Sequence, residues 1–285
     1  MCVDTDMFHV TEAGVRLSIV DPGDAPRTCV VLLGHMAWLE PFELQRFELL
    51  AAELRSRLVV VESAGLGESA PLSWAERRAL LAGHYRPVAS RLLNAVGEVV
   101  PAGESLDLIG YSMGATMASA IAAVDPARFT SLTLVEPVGF RAWNPIQLIA
   151  AVYHESKSTP EYLVETAGHG ASIPAPWQHN PLAPSPRRNL LDQSLLGGGL
   201  SWGRTHADLH AIVGHDTAPS VLLIHGDNSR LSPAAAVQSL GQSLAATGAH
   251  VNTVEVPGGH GLWHSLPRVQ GLAREITTHW GLLPV

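Results

Sequence analysis

The stretch Leu106-Asp107-Leu108-Ile109-Gly110-Tyr111-Ser112-Met113-Gly114, followed by the small-residue run from Ala115 to Ala123, constrains this chain more than any other. It reads as a buried strand that reverses through a Gly-x-Ser-x-Gly turn into a tightly packed helix, with Ser112 on the bend. Gly110 and Gly114 suit the bend because a Cβ at either place would collide with the neighbouring strand or helix. The helix directs its free N–H groups back toward Ser112, and that of Met113 is placed to receive an oxyanion. An ordinary strand-to-helix turn is the competing reading, since the five-residue pattern alone is weak evidence.

The rest of the chain repeats a strand–helix rhythm around that stretch. Phe8 to Val10 and Val15 to Val20 suggest an edge hairpin, and Cys29 to Leu33 is a continuous apolar run, as expected of a strand covered on both faces. Behind Pro41, apolar residues from Leu44 to Leu54 recur at helical spacing before the strand Leu58 to Val61. A long helical stretch from about Ser73 to Val100 breaks near Pro87, and Ser131 to Glu136 is the strand after the Ser112 helix. The rhythm fails from Pro137 to about Pro219, where prolines crowd Ile173 to Arg188, glycines run from Gly197 to Gly199, and a helical patch spans Pro145 to Tyr153. It resumes with the strand Val221 to Ile224, a helix from Pro233 to Ala246, the strand His250 to Val256 and a last helix beginning near Leu262. The expected fold is α/β, a mostly parallel sheet with helices on both faces. Its core comprises residues 1–136 and 220–285, interrupted by a helical cap over 137–219.

Charge and cysteine content narrow the function. A net charge of −8 without a basic cluster argues against nucleic-acid or anionic-membrane partners. Two cysteines, Cys2 and Cys29, are too few for a disulfide framework and fit a reducing cytoplasm. The acidic start lacks a signal peptide's basic end and apolar run, and no stretch is apolar for long enough to cross a bilayer. His206 and His210, four apart, have metal-site spacing but no evident third ligand, so they read as the polar face of a helix. Gly65-x-Gly67 lacks the context of a dinucleotide fingerprint. The expected partner is a small-molecule substrate, with no metal and no cofactor implied.

Four motifs in order resemble the α/β-hydrolase superfamily: Leu32-Leu33-Gly34-His35-Met36 at the oxyanion loop, Glu62-x-x-Gly65-x-Gly67-x-Ser69, Gly110-Tyr111-Ser112-Met113-Gly114, and Pro257-Gly258-Gly259-His260 followed by Leu266-Pro267. The resemblance implies a capped hydrolase fold with Ser112 as nucleophile and His260 as its base. Chemistry asks for the same pair, because a serine hydroxyl needs a base to take its proton and histidine has a suitable pKa. In the family the acid usually lies three residues beyond the glycine after the strand ending at Ile224, and here that slot is Ser229, which cannot serve. A second arrangement in the superfamily places it at the end of the strand after the nucleophile, where this chain has Glu136. Glu136 is therefore preferred and Asp227 is the alternative. Many members have His-Gly where this chain has Gly34-His35, and in that register the second oxyanion donor is the Met36 N–H, paired with Met113. His35 orients the loop or is a satisfied buried histidine.

Trp38, Trp143 and Trp263, with His35, are candidates for lining an apolar pocket over Ser112, as are Trp177 and Trp202, and each has packing as its alternative. The expected function is a serine hydrolase that cleaves an ester, thioester or related carbonyl of a largely apolar substrate through an acyl-enzyme. Acyl transfer and C–C bond hydrolysis use the same residues, and a non-catalytic small-molecule binding protein of this fold is the remaining alternative. Oligomeric state leaves no mark in the sequence.

Overall fold

The computed structural model describes residues 8–35, 37, 39, 41–168, 189–215 and 217–281. Eight strands form one sheet: β1 (His9–Val10), β2 (Arg16–Val20), β3 (Arg27–Leu32), β4 (Ser56–Val61), β5 (Leu106–Tyr111), β6 (Phe129–Val135), β7 (Ser220–Gly226) and β8 (Val251–Val256). Their order is β1-β2-β4-β3-β5-β6-β7-β8. The first hairpin is antiparallel, β2 pairs antiparallel with β4, and every pairing from β4 to β8 is parallel. β5 is therefore central, and Ser112 leaves the carboxyl edge of the sheet near its middle.

The apolar run in β3 is covered on both faces, as its composition predicts. Val30 and Leu32 join the larger core cluster, whereas Cys29 and Val31 join the smaller. Helices α1 (Pro41–Leu54) and α10 (Leu266–His279) pack together over the smaller cluster. The larger lies beneath α3 (Arg86–Gly97), α4 (Met113–Val124) and α9 (Ala234–Ala245). α2 (Trp74–Leu81) precedes α3, begins with a capping box at Ser73 and Glu76, and stops before Tyr85. The helical stretch thus breaks ahead of Pro87, whose ring sits in the first turn of α3, where a missing N–H costs nothing.

Between β6 and β7 lie α5 (Pro145–Ser156), α6 (Thr159–Gly168), α7 (Leu190–Gly199) and α8 (Thr205–Val213). α5 and α6 pack against a short turn of 3₁₀ helix at His260–His264, α7 packs on α2, and α8 packs on α4 and α9. The last helix starts at Leu266, after that 3₁₀ turn, rather than near Leu262, with Pro267 in its first turn. Among the described residues no helix is long and apolar enough to cross a membrane.

Candidate active site

Ser112 is held between β5 and α4 at φ 57° and ψ −119°, a left-handed conformation that costs a non-glycine residue about 1–3 kcal/mol. The surrounding packing leaves no room for relaxation. A Cβ on Gly110 would overlap the carbonyl of Gly114, and one on Gly114 would overlap the carbonyl of Leu32. Ser112 donates its N–H to Val135 O at 2.9 Å, so the β5–β6 ladder continues into the bend. Because α4 begins at Met113, the Met113 N–H precedes the first bond of the helix, which Ala115 N–H makes to Ser112 O at 3.0 Å, and lies beside the serine.

Glu136 repeats the device one strand over. It follows β6 at φ 51°, and its N–H bonds Ile224 O at 2.7 Å. Its carboxylate is fully buried, which requires that the charge be met by hydrogen bonds. Gly226 N–H donates to Oε1, and Oε2 receives the Ser229 hydroxyl at 2.5 Å and faces His260 Nδ1 at 2.8 Å. The serine in the commoner acid slot thus bonds the carboxylate that arrives from β6.

His260 opens the 3₁₀ turn after β8, and its Nε2 lies 2.8 Å from Ser112 Oγ. An ionised Glu136 only accepts, so Nδ1 carries the ring proton and Nε2 is left to accept from the serine hydroxyl. Ser112 and His260 are each 8 % exposed, enough for a substrate atom to approach while most water is excluded. Tyr111 fixes the histidine from below: its hydroxyl donates to His260 O at 2.6 Å, and its ring stacks on the imidazole at 5.5 Å. This chain of three side chains can remove a proton from Ser112 Oγ, hold it on Nε2 and stabilise the resulting imidazolium.

Asp227, the alternative acid, is exposed and accepts Gly258 N–H at 2.9 Å, a turn contact away from the imidazole nitrogens. Met36, Trp38 and Trp177 lie outside the described residues. His35 is half-buried, and its Nε2 meets Gln193 O of α7 at 2.9 Å; burial lowers its pKa, so the neutral ring donates there. Trp263 is a core residue rather than an open pocket wall: it is 3 % exposed, stacks on Tyr111 at 5.3 Å and sits in the cluster beneath α1 and α10. Trp143 is half-buried under the Arg141 guanidinium, and Trp202 is exposed.

Glu62 binds the turn that follows β4. Its buried carboxylate accepts the N–H groups of Leu39 at 2.9 Å and of Glu68 and Ser69 at 2.8 Å each. Burial raises its pKa against the pull of those bonds. The His206 and His210 rings lie 4.4 Å apart and tilted by 42° on α8, where His210 bonds Ser243. Among the described residues no group of three or more His, Cys, Asp or Glu is placed to hold a metal ion.

Two side chains at the site went unread in the sequence. Glu155 of α5 accepts His260 N–H at 3.1 Å, and Tyr162 of α6 accepts Gly259 N–H at 2.6 Å. The available signal was the spacing Leu148, Ala151, Glu155, which places a carboxylate on the buried stripe of a helix.

A family model described as the alpha/beta hydrolase family matches residues 21–274. Among solved structures, the thioesterase domain from the curacin biosynthetic pathway is 20 % identical with a TM-score of 0.57, over 93 % of this chain and 95 % of that one. An esterase from Exiguobacterium antarcticum is 17 % identical with a TM-score of 0.59, over 96 % and 98 %. A serine hydrolase from the polyaromatic-hydrocarbon-degrading bacterium Cycloclasticus zankles is 16 % identical with a TM-score of 0.64, over 98 % and 96 %. At these identities the likeness is one of fold. Among curated proteins none matches the chain.

Proposed function

Since the chain belongs to the alpha/beta hydrolase family, we propose that it is a serine hydrolase acting on an ester, thioester or related carbonyl through an acyl-enzyme on Ser112. The observation that carries this reading is the unbroken bond chain from Ser112 Oγ to His260 Nε2 and from His260 Nδ1 to Glu136, each link 2.8 Å long. Ser112 Oγ attacks the carbonyl carbon while His260 Nε2 takes the hydroxyl proton. The negative charge that develops on the carbonyl oxygen is met by the Met113 N–H and the positive end of α4. His260 then gives its proton to the leaving group, and Glu136 stabilises the imidazolium between the two transfers. Water repeats the sequence on the acyl-enzyme and frees the acid.

The same reading makes the segment between β6 and β7 a cap over the site. Support comes from α5 and α6, which bond the His260 turn, and from α7, which meets His35. The largely apolar substrate expected from the tryptophans rests on their number in and near this segment; Trp263, being core, does not contribute.

The test is intact-mass analysis after exposure to an alkyl fluorophosphonate, with Ser112→Ala as control. One adduct on Ser112 is expected in the wild type and none in the variant. A folded wild-type protein that takes up no adduct would overturn the reading in favour of a binding protein of this fold.

A further inference from the structure

We propose that Glu155 is a positioning residue for His260, holding the imidazole in register with Glu136 and Ser112 by tying together the two loops on which that register depends. The inference rests on the serine-hydrolase reading above. Glu155 is 6 % exposed, and among the described residues no cation pairs with it. A buried carboxylate without a counter-charge opposes folding unless hydrogen bonds hold it. Here its oxygens take one main-chain N–H from each of two loops: Arg230 to Oε1 at 2.5 Å and His260 to Oε2 at 3.1 Å.

These loops are the two that meet at Glu136. Arg230 directly follows Ser229, whose hydroxyl bonds Glu136 Oε2, and the His260 ring bonds the same oxygen. The bonds therefore close a ring running from Glu136 through Ser229, the Arg230 N–H, Glu155 and the His260 N–H to the imidazole and back. Gly258 N–H to Asp227 Oδ1 and Asn228 N–H to Gly258 O join the same loops two residues before the imidazole, so cutting the ring at Glu155 loosens the turn at His260 itself and shifts Nε2 relative to Ser112 Oγ. Tyr162, one helix on, grips the adjoining Gly259 N–H but does not reach the Ser229 loop by any bond described. A Cβ on Gly259 would stand 3.0 Å from Glu155 Oε2, so a side chain there would crowd the carboxylate. Glu155 acts through main-chain groups and touches no reacting atom.

The experiment is alkyl fluorophosphonate labelling of the full chain, resolved into the maximal rate of adduct formation and the concentration for half-saturation. It compares wild type, Glu155→Ala, Glu155→Gln and Leu148→Ala, the last removing apolar contact from the same face of α5. Glu155→Ala is expected to lower the maximal rate about 10- to 100-fold with half-saturation within about twofold, the scale of loss from small misplacement of a reacting group. Glu155→Gln, whose amide oxygen still accepts one N–H, should fall between it and wild type, and it carries the test if the alanine variant fails to fold. Equal rates for wild type and either folded Glu155 variant would overturn the proposal. So would an equal loss in Leu148→Ala, which would trace the effect to general loosening of α5. Absence of labelling in the wild type would overturn the hydrolase reading instead, so the two failures are distinct.

Discussion

Ser229 donates its hydroxyl to Glu136 Oε2 at 2.5 Å, on the same oxygen that faces His260 Nδ1 at 2.8 Å. Two neighbouring strand ends therefore meet on one carboxylate: β7 supplies a hydroxyl donor at Ser229, and β6 supplies the carboxylate that faces the imidazole. Ser229 Oγ also accepts Ser232 N–H at 3.0 Å, which aims its own proton at the carboxylate. A hydrogen bond to a charged group contributes about 1.5–3 kcal/mol. Ser229→Ala is thus expected to slow fluorophosphonate labelling of Ser112 about tenfold or more while the protein stays folded, and a rate equal to wild type would show that Glu136 is held without it.

The two carboxylates considered for the acid differ in environment enough to be separated by amide substitution. Glu136 is fully buried and bonded to the imidazole, whereas Asp227 is exposed and bonds a turn N–H. Glu136→Gln presents an amide that disturbs the Nδ1–H tautomer, a loss of about four orders of magnitude in turnover where such a change has been measured in a serine triad. Asp227→Asn is expected to stay within about threefold of wild type, in line with surface substitutions away from special features. Labelling rates at Ser112 in both variants give the ranking, and the opposite order would return the acid role to Asp227.

The strands, the elbow and the histidine that meets Ser112 were readable because each rests on local pattern: apolar runs for strands, glycines where backbones touch, a histidine in a Gly-rich turn after a strand. Of the helices between β6 and β7 only α5 was, from its start at Pro145 as far as Tyr153. In α5 the side chains turned outward are Ile146, Ile149, Val152 and Tyr153, while the inward stripe is Leu148, Ala151 and Glu155. Hydrophobicity there points away from the packed face, and the expected end at Tyr153 cut off the residue that reaches His260. Gly197 to Gly199 read as a break yet complete α7, because the glycines permit close approach. A Cβ on Gly197 would stand 2.9 Å from His35 Nε2, and one on Gly199 2.8 Å from the Tyr85 hydroxyl oxygen. Such contacts are long-range, and no window of sequence contains both sides.

Gly114 tests the packing of the elbow separately from its chemistry. Any side chain there meets the main-chain carbonyl of Leu32 on β3, which is fixed in ladders with β4 and β5 and cannot swing aside. Gly114→Ala is expected to destabilise the protein by about 3 kcal/mol or more, at the upper end for overpacking. It should also abolish labelling in whatever folded fraction survives. Urea unfolding measures the first, and a midpoint unchanged from wild type would mean that α4 can move off β3.

His264 links the site to acid sensitivity. Burial lowers the imidazole pKa from its ordinary 6.5 to about 3, with the nearby Arg46 and His260 adding to the effect. In the window between those values the unfolded chain binds a proton at this residue that the folded chain does not, so stability falls as pH falls from about 6.5 toward 3. One such group contributes a slope of at most about 1.4 kcal/mol per pH unit, less what solvent screens at this half-buried residue. The ring stands edge-on to Tyr111 at 6.3 Å, a place a phenyl ring can fill. His264→Phe is therefore expected to match wild type within about 1 kcal/mol at pH 7.5. Its urea-unfolding stability should decline less steeply between pH 6 and 4. Parallel declines in the two proteins would assign the acid sensitivity of the fold to other groups.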